Sequence, residues 1–545
     1  MFCDNSARFL YISPKKPCTM IRYSSQNQLP LAEFGWPFQT KLDENNRWVK
    51  LARCIPWDAL AEIYYQNLSS SQGRPSKDAR LVVGAVIIKH KLKLSDRETV
   101  AQIQENPYLQ YFVGLAEYQA KAPFAASLLV DIRKRMGQDV FDQFQTCIVD
   151  AVEHQKTPDS PGKDDDEPPT SDASQGSEVS NDEDPKKETH QGKLILDATV
   201  APQAIRYPTD LSLLNEAREI TESIIDHLFP LTGWKKKPRT YRQKARKDFL
   251  AIAKQRKPAN KNRRRAIKQQ LQYLRRNLNH IDRMLSCWQD SDPSPLPKRL
   301  LKAYWVIQHV YEQQTHMHKT KNRRCDDRIV SIHQPHVRPI VRGKQDKPVE
   351  FGAKLSVSLT QDGIACVDHL RWDAFHEGND LKSQVEAYHD RHGCYPEKVL
   401  ADPAYGTREN RKYLKDKGIH FAGKPLGRPP KVTSENEEAL KRAKAQRRED
   451  YCQRIPIEGK FGQGKNGYGL DYIRAKRADT SVAWINSIFL VMNLMVLLKL
   501  FYFCFKSCAQ CSCNMIAHAI YSGFNKLARK RFKFRSNGAC LLTAF

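Results

Sequence analysis

Apolar residues along this chain change their spacing three times. Between Phe34 and His154 they recur at helical intervals. Arg80–Leu94 reads as a buried helix, and Ser95-Asp96-Arg97-Glu98 is a capping box that opens a second helix through Val100 and Ile103. Asn106-Pro107 ends that helix, and Tyr108–Val113 follows as another apolar run. Short helices joined by tight turns suit a small DNA-binding or dimerising module. A helical cap with no DNA contact fits the same pattern.

After Lys193 the pattern becomes that of strands. Lys193–Val200 is a short apolar run, read as a buried strand with Asp197 at its far end. Val349–Leu359 alternates apolar and polar positions, and Gln361-Asp362-Gly363 turns it into Ile364–Trp372, which predicts a hairpin. Leu381–Arg391 is helical. Pro396–Asp402 is a further strand that ends in an aspartate, and Thr407-Arg408-Glu409-Asn410 caps a helix running to Gly418. Ile419–Ala422 is the last short strand, and Glu435–Glu449 is a charged helix. The order predicts a five-stranded mixed sheet flanked by helices, an α/β fold. Trp484–Leu500 closes it as an apolar helix. Ile485–Phe505 approaches membrane-spanning length, but Asn486, Asn493 and Lys499 interrupt it, so a buried helix and no membrane partner are expected.

Between these regimes lie two stretches of different character. The segment 156–192 carries Asp164-Asp165-Asp166-Glu167 and Asn181-Asp182-Glu183-Asp184 with almost no large apolar residue, and is expected to be a disordered linker. Asp210 to Arg328 is helical, with an amphipathic opening at Leu211–Leu228, and its middle is strongly basic. Lys235-Lys236-Lys237 and Arg263-Arg264-Arg265 stand out there, with Trp234, Tyr241, Phe249 and Tyr273 interleaved. That combination predicts contact with the phosphate backbone of DNA and stacking groups for separated strands. The expected organisation is a helical domain at 1–155, the linker at 156–192, a catalytic domain at 193–500 with a basic insertion at 211–328, and a Cys-rich basic tail at 501–545.

Composition sharpens the choice of partner. The 545 residues hold 89 Lys+Arg against 61 Asp+Glu, a net charge of +28. So large an excess calls for a polyanion, nucleic acid before an anionic membrane. A secretory leader is not expected, because the opening residues lack a basic-then-apolar pattern, and the fourteen cysteines are read as reduced thiols in a cytosol.

The candidate chemistry centres on Tyr451–Lys465. At 100° per residue, Tyr451, Arg454 and Lys465 fall within about 40° of Glu458 on a helical wheel. A carboxylate that ligates a divalent ion, flanked by groups that grip phosphate oxygens, is equipment for cutting nucleic acid. Pro456 qualifies this picture: it lacks an N–H and tolerates the first helical position, so the helix is expected to start there. Tyr451 and Arg454 would then arrive from a preceding turn. If the first and fourth strands pair in parallel, Asp197 and Asp402 end neighbouring strands and Glu458 arrives beside them. Three carboxylates there suit two Mg²⁺ or Mn²⁺ ions about 4 Å apart. Asp326, Asp327, Asp362, Asp368 and Asp373 are alternative acidic ligands. His333, His336 and His376 lack zinc spacing. Cys504, Cys508, Cys511 and Cys513 are dense, but match no common zinc pattern.

Several motifs, in order, carry a resemblance. They are Leu196-Asp197-Ala198-Thr199-Val200-Ala201-Pro202, Arg206–Leu211, Pro335–Lys344, Ala401-Asp402 with Thr407-Arg408-Glu409-Asn410, and Ile457–Lys465. With them the chain resembles bacterial insertion-sequence transposases of the DDE superfamily, in the branch with a Y-R-E-K signature. The resemblance implies a ribonuclease-H-like catalytic domain that binds terminal inverted repeats of double-stranded DNA and joins the cut ends to target DNA by a cut-and-paste route. It implies Asp197, Asp402 and Glu458 as metal ligands for two Mg²⁺ or Mn²⁺ ions, with Tyr451, Arg454 and Lys465 on the reacting phosphate. It also implies a homodimer at the bacterial nucleoid. The insertion lies after the first strand here, whereas well-known members of the branch carry it just before the glutamate, which leaves a hairpin-ended intermediate open. A catalytically silent, transposase-derived DNA-binding protein and a plain nuclease are the competing expectations.

Overall fold

Local capping signals are formed as written. Ser95 Oγ accepts from Glu98 N–H (3.3 Å) and the Glu98 carboxylate accepts from Ser95 N–H (2.7 Å). The computed structural model describes residues 41–154 and 190–501, apart from 67, 69–75, 289–292, 323, 342–348, 429, 431, 432, 434 and 435. Residues 156–189 of the expected linker, all but the first residue of the tail with its four clustered cysteines, and Arg342-Gly343-Lys344 lie outside the described residues.

Seven helices come first: α1 (Arg47–Cys54), α2 (Trp57–Gln66), α3 (Ala79–Leu92), α4 (Asp96–Glu105), α5 (Pro107–Phe112), α6 (Leu128–Arg135) and α7 (Gln138–His154). Then follow β1 (Lys193–Pro202) and the inserted helices α8 (Asp210–Leu228), α9 (Arg242–Ala253), α10 (Asn260–Leu285) and α11 (Lys298–Thr320). The chain returns through β2 (Arg338–Val341), β3 (Val349–Thr360), β4 (Ala365–Arg371), α12 (Leu381–His392), β5 (Lys398–Ala401), α13 (Arg408–Asp416), β6 (His420–Ala422) and α14 (Glu437–Tyr468). A last helix, α15, spans Ala478–Phe501.

The sheet has six strands in the order β2-β3-β1-β5-β6, with β4 also on β3. The extra strand relative to the expected five is β2. It is only four residues long, too short to show an alternation. It exists because β3 extends beyond its pairing with β4: β2 takes Val349–Gly352, and β4 takes residues from Lys354 onward. β1 runs antiparallel to β3 and parallel to β5, and β5 runs parallel to β6.

One apolar cluster joins α1–α7 to β3, β4, α14 and α15. The polar residues that interrupt α15 are used inside it. Asn486 donates to Gln138 (2.6 Å), and Asn493 donates to Gln145 (2.6 Å) and to the Ala365 carbonyl (2.8 Å). A buried amide left without partners costs about 1–3 kcal/mol, so these bonds explain why two asparagines sit in so apolar a helix. The helix is long and apolar enough to cross a membrane, yet 83% of its apolar window is buried within the fold. Helices α8, α10 and α11 close around a separate cluster that includes Leu214, Ile225, Leu274, Ile281 and Ile307. Asp210 anchors the base of that insertion: it accepts from Arg328 (2.5 Å) and from Gln314 (2.9 Å).

Candidate active site at the β1–β5 edge and α14

The parallel ladder between β1 and β5 ends at Leu196↔Ala401. The next residue on each strand is an aspartate, Asp197 and Asp402. Their carboxylates are near enough for Asp402 to raise the pKa of Asp197. Asp197 is not at the end of its strand, as expected, but in its interior. It pairs with Val357 of β3, and β1 continues to Pro202 against Gly352. The strand outlasts its shorter partner β5, so the β5 edge of β1 opens at Asp197. Asp402 caps the turn that follows β5, accepting from Ala404 N–H at 3.1 Å.

Helix α14 brings the third carboxylate. Contrary to the expected start at Pro456, the helix runs unbroken from Glu437 to Tyr468 with the proline inside it. The carbonyl four residues back is that of Cys452, an exposed residue, where water can take the place of the missing N–H. Three bonds hold the helix to the sheet. Asp450 accepts from Lys398 on β5. Arg454 donates to Asp197 on β1 at 3.1 Å. Lys460 donates to the Gly363 carbonyl at the β3–β4 turn, at 2.8 Å. Ile457 and Phe461 are buried beneath, and Gly464 packs closely under Leu470, whose Cδ2 a Cβ there would meet at 3.1 Å.

Tyr451, Arg454 and Glu458 lie together on this continuous helix. Arg454 also donates to Glu458 at 2.7 Å, so one guanidinium bridges the carboxylates of β1 and α14. Tyr451 is 58% exposed with its ring 5.7 Å from the Arg454 guanidinium. Lys465 lies two turns farther on, lining a cleft against α3. Burial pushes the Asp197 carboxyl above its ordinary 3.8. The Ala198 N–H and Arg454 oppose that shift, whereas Glu377 and Asp402 add to it.

Glu377 is a neighbour that sequence reasoning missed, because nothing in a loop between strand and helix marks it. It pairs with buried Lys354 of β3 at 2.9 Å. Tyr405, fully buried in the turn after Asp402, has its phenol pushed up by burial and by Glu377, Asp197 and Asp380. Of the alternative acidic ligands, Asp368 is committed to Arg391 at 2.9 Å and Asp373 lies 3.6 Å from Arg338.

Among the described residues, no three or more His, Cys, Asp or Glu side chains form a group able to hold a metal ion. What the structure brings together is Asp197, Arg454 and Glu458, with Asp402 beside Asp197. Carboxylates left alone at such a point repel one another, and the guanidinium is the cation that relieves this. The donors gathered here are carboxylate oxygens, the ligand type that hard divalent ions take, and in this structure the Arg454 guanidinium stands between two of them.

The insertion presents its cations differently. Lys235, Lys236, Lys237, Arg263, Arg264 and Arg265 are all exposed. Lys237 pairs with Asp226 at 2.6 Å, and Arg264 donates to the His318 carbonyl at 3.3 Å. The interleaved aromatics are less available than expected. Tyr273 is buried and donates to Asp248 (2.9 Å), and Trp234 packs on the insertion core. Tyr241 is exposed, with Arg276 over its ring at 4.6 Å.

A family described as "Transposase domain (DUF772)" matches residues 37–135, the span of α1–α6. A second, "Transposase DDE domain", matches residues 399–495, from β5 through α14 into α15. A protein of Rhizobium meliloti named "Uncharacterized protein ORF8 in nfe locus" is 30% identical over 172 residues, which cover 32% of this chain and 69% of that protein. No solved structure matches. With both domain matches in their expected order, the chain belongs to the insertion-sequence DDE transposases.

Proposed function

We propose that the chain cuts DNA at the ends of its own element and joins those ends to a target, with Asp197, Asp402 and Glu458 as the reacting centre. The observation that carries this reading is the Arg454 guanidinium shared between Asp197 on β1 and Glu458 on α14, one register step from Asp402. The strand order β4-β3-β1-β5-β6 supports a ribonuclease-H-like catalytic domain.

In this reading Asp197, Asp402 and Glu458 hold two Mg²⁺ or Mn²⁺ ions. When bound, such ions activate water or a 3′-hydroxyl and neutralise charge at the leaving oxygen. The chain's own side chains do the rest. Arg454 leaves the carboxylates for a non-bridging phosphate oxygen, to which its planar fork is matched. Tyr451, exposed beside it, donates to the same phosphodiester, whereas Lys465, in the cleft against α3, holds the strand farther along α14 and not the reacting phosphate that the resemblance implies. Lys354 neutralises Glu377, the further carboxylate near Asp197, by its ion pair. The exposed cations of the insertion, Lys235–Lys237 and Arg263–Arg265, hold duplex DNA through its backbone without reading bases. Two copies of the chain would act on paired ends.

The test is the full chain incubated with DNA carrying the inverted repeats that bracket its reading frame, a supercoiled target, and Mg²⁺ or Mn²⁺. Cleaved ends and joined product are expected, both lost in Asp197→Asn and Asp402→Asn. A second reading, a catalytically silent DNA binder, is favoured by one feature: Arg454 occupies the space between the carboxylates. Wild-type protein that binds the ends but yields no metal-dependent cut would establish it. Cleavage without joined product would indicate a nuclease instead.

A further inference from the structure

The N-terminal helices meet the catalytic half of the chain in a cleft of about 340 Å³. Its walls come from three places. The end of α3 supplies one, the last turn of α14 supplies another, and the segment after α14 supplies the third. That segment is tied to the end of β1: Ile473 N–H donates to the Pro202 carbonyl and Ala204 N–H donates to the Ile473 carbonyl, each at 2.9 Å. The cleft therefore hangs on the helix that carries Glu458 and on the strand that carries Asp197.

Positive charge is concentrated at this seam. Lys93 has a left-handed backbone, φ 56°, and its ammonium donates to the Asn466 carbonyl. Lys91 donates to Tyr468 Oη at 3.4 Å. Both reach the C-terminal turn of α14, where backbone carbonyls carry partial negative charge. Underneath, Lys89 and Arg133 share the single carboxylate of Asp96, at 2.8 and 2.7 Å, and lie over Trp484 at 4.3 and 5.2 Å. Lys89 is repelled by Arg133 and by Arg474. Lys89, Lys91, Lys93, Arg133, Lys465 and Arg474 thus make six cations against Asp96, Glu98 and Asp471, an excess of three. At the mouth, Tyr472 is 55% exposed beside Arg474, whose guanidinium lies 5.9 Å from the ring.

We propose that this seam is a second phosphodiester subsite, in which Lys93, Lys465 and Arg474 grip the DNA backbone away from the reacting phosphate. The inference rests on the reading of the α14 face as the active site. Lys465 follows Glu458 by seven residues on that face, a rise of roughly 10 Å, which separates it from a phosphate held at Glu458. The consequence is that the helical domain completes the DNA channel of the catalytic domain. The gripped strand belongs either to the element end or to the target.

The test uses the full-length chain and two duplexes, one from the inverted repeat and one serving as target. Single neutral methylphosphonates are walked along each. Wild-type protein should lose about tenfold in affinity at one or two adjacent positions. A loss in the repeat duplex assigns the element end, and a loss in the target duplex assigns the target. In Lys93→Ala/Arg474→Ala that sensitivity should disappear, and the slope of log affinity against log salt should become shallower by about 1.8, for two lost contacts. The charge-conserving Lys93→Arg/Arg474→Lys should keep the wild-type slope and thermal midpoint. Unchanged sensitivity and slope in the alanine pair overturn the proposal. So does loss of slope in the conservative pair when its thermal midpoint is intact. Because the readout is binding, absence of cleavage by the wild type would sink the catalytic reading and leave this one standing as a DNA contact alone.

Discussion

In the proposed reading two regions of this protein meet the same polyanion, and they are built on opposite plans. At the β1–β5 edge a few charges converge. Asp197 is mostly withdrawn from solvent, its side chain 17% exposed, and one guanidinium serves it and Glu458 together. In the insertion, by contrast, the cations are numerous and exposed, with Arg263, Arg264 and Arg265 on α10 and Lys235, Lys236 and Lys237 in the connection between α8 and α9. The difference teaches where single residues matter. A converged site draws its energy from low dielectric and fixed geometry, so one atom can decide it. A dispersed surface works through the sum of weak, screened contacts.

The largest expected effect follows from that contrast. Asp197→Asn, Asp402→Asn and Glu458→Gln should each lower end cleavage on the order of 10³-fold, while affinity for the ends, read by gel shift, changes by less than about threefold. Comparable losses of binding and cleavage would merge the two regions into one. Next is cation binding. Mg²⁺ or Mn²⁺ at about 100 times its dissociation constant should stabilise the wild type by about 2.7 kcal/mol and leave Asp197→Asn nearly unmoved, as followed by thermal melting. Insertion variants should behave in the reverse manner. Replacing Lys235, Lys236, Lys237, Arg263, Arg264 and Arg265 together by Ala should flatten the salt dependence of binding by about 0.9 for each lost phosphate contact. Each single change should cost only a few-fold, and one that abolished binding would contradict the dispersed plan.

The smallest effect concerns the framework that both regions share. His90 is buried against Trp484 at the domain seam, and burial holds its pKa well below 6.5. His336, against Trp372, is pushed down to about 4 by burial and by Lys302 and Arg338. Depressed histidines are neutral in the fold, whereas the unfolded chain takes up protons below about pH 6.5. Their contribution to stability is therefore present above pH 6.5 and lost as pH falls toward 4, at no more than about 1.4 kcal/mol per pH unit for each. Denaturant melts from pH 7 to pH 4 should show this slope, and His336→Phe should reduce it.

Much of this was legible along the chain because the signals are local. The capping box at Ser95, the hairpin through Asp362-Gly363 and the apolar strand leading to Asp197 depend on neighbours within a few residues. Where the reading departed from the structure, the cause was tertiary. Pro456 argues for a helix start on local grounds. Packing of Ile457 and Phe461, with the bonds from Asp450, Arg454 and Lys460 to the sheet, carries α14 through it. Glu377 left no mark in the sequence, because its importance lies in nearness to Asp197 across some 180 intervening residues.

The amino-acid order alone determined which residue types are available: the three carboxylates, the Tyr451–Lys465 face, and an excess of 28 positive charges. Periodicity follows from backbone geometry, so it also determined most helices and strands. Only the tertiary structure decided that Arg454 bridges Asp197 and Glu458, that Asp402 sits one step past the end of a parallel ladder, and that α3 closes a basic cleft with Lys465. Those relations join residues far apart in the chain. They arise when burial of shared apolar surface fixes the elements against one another, and no local signal encodes them.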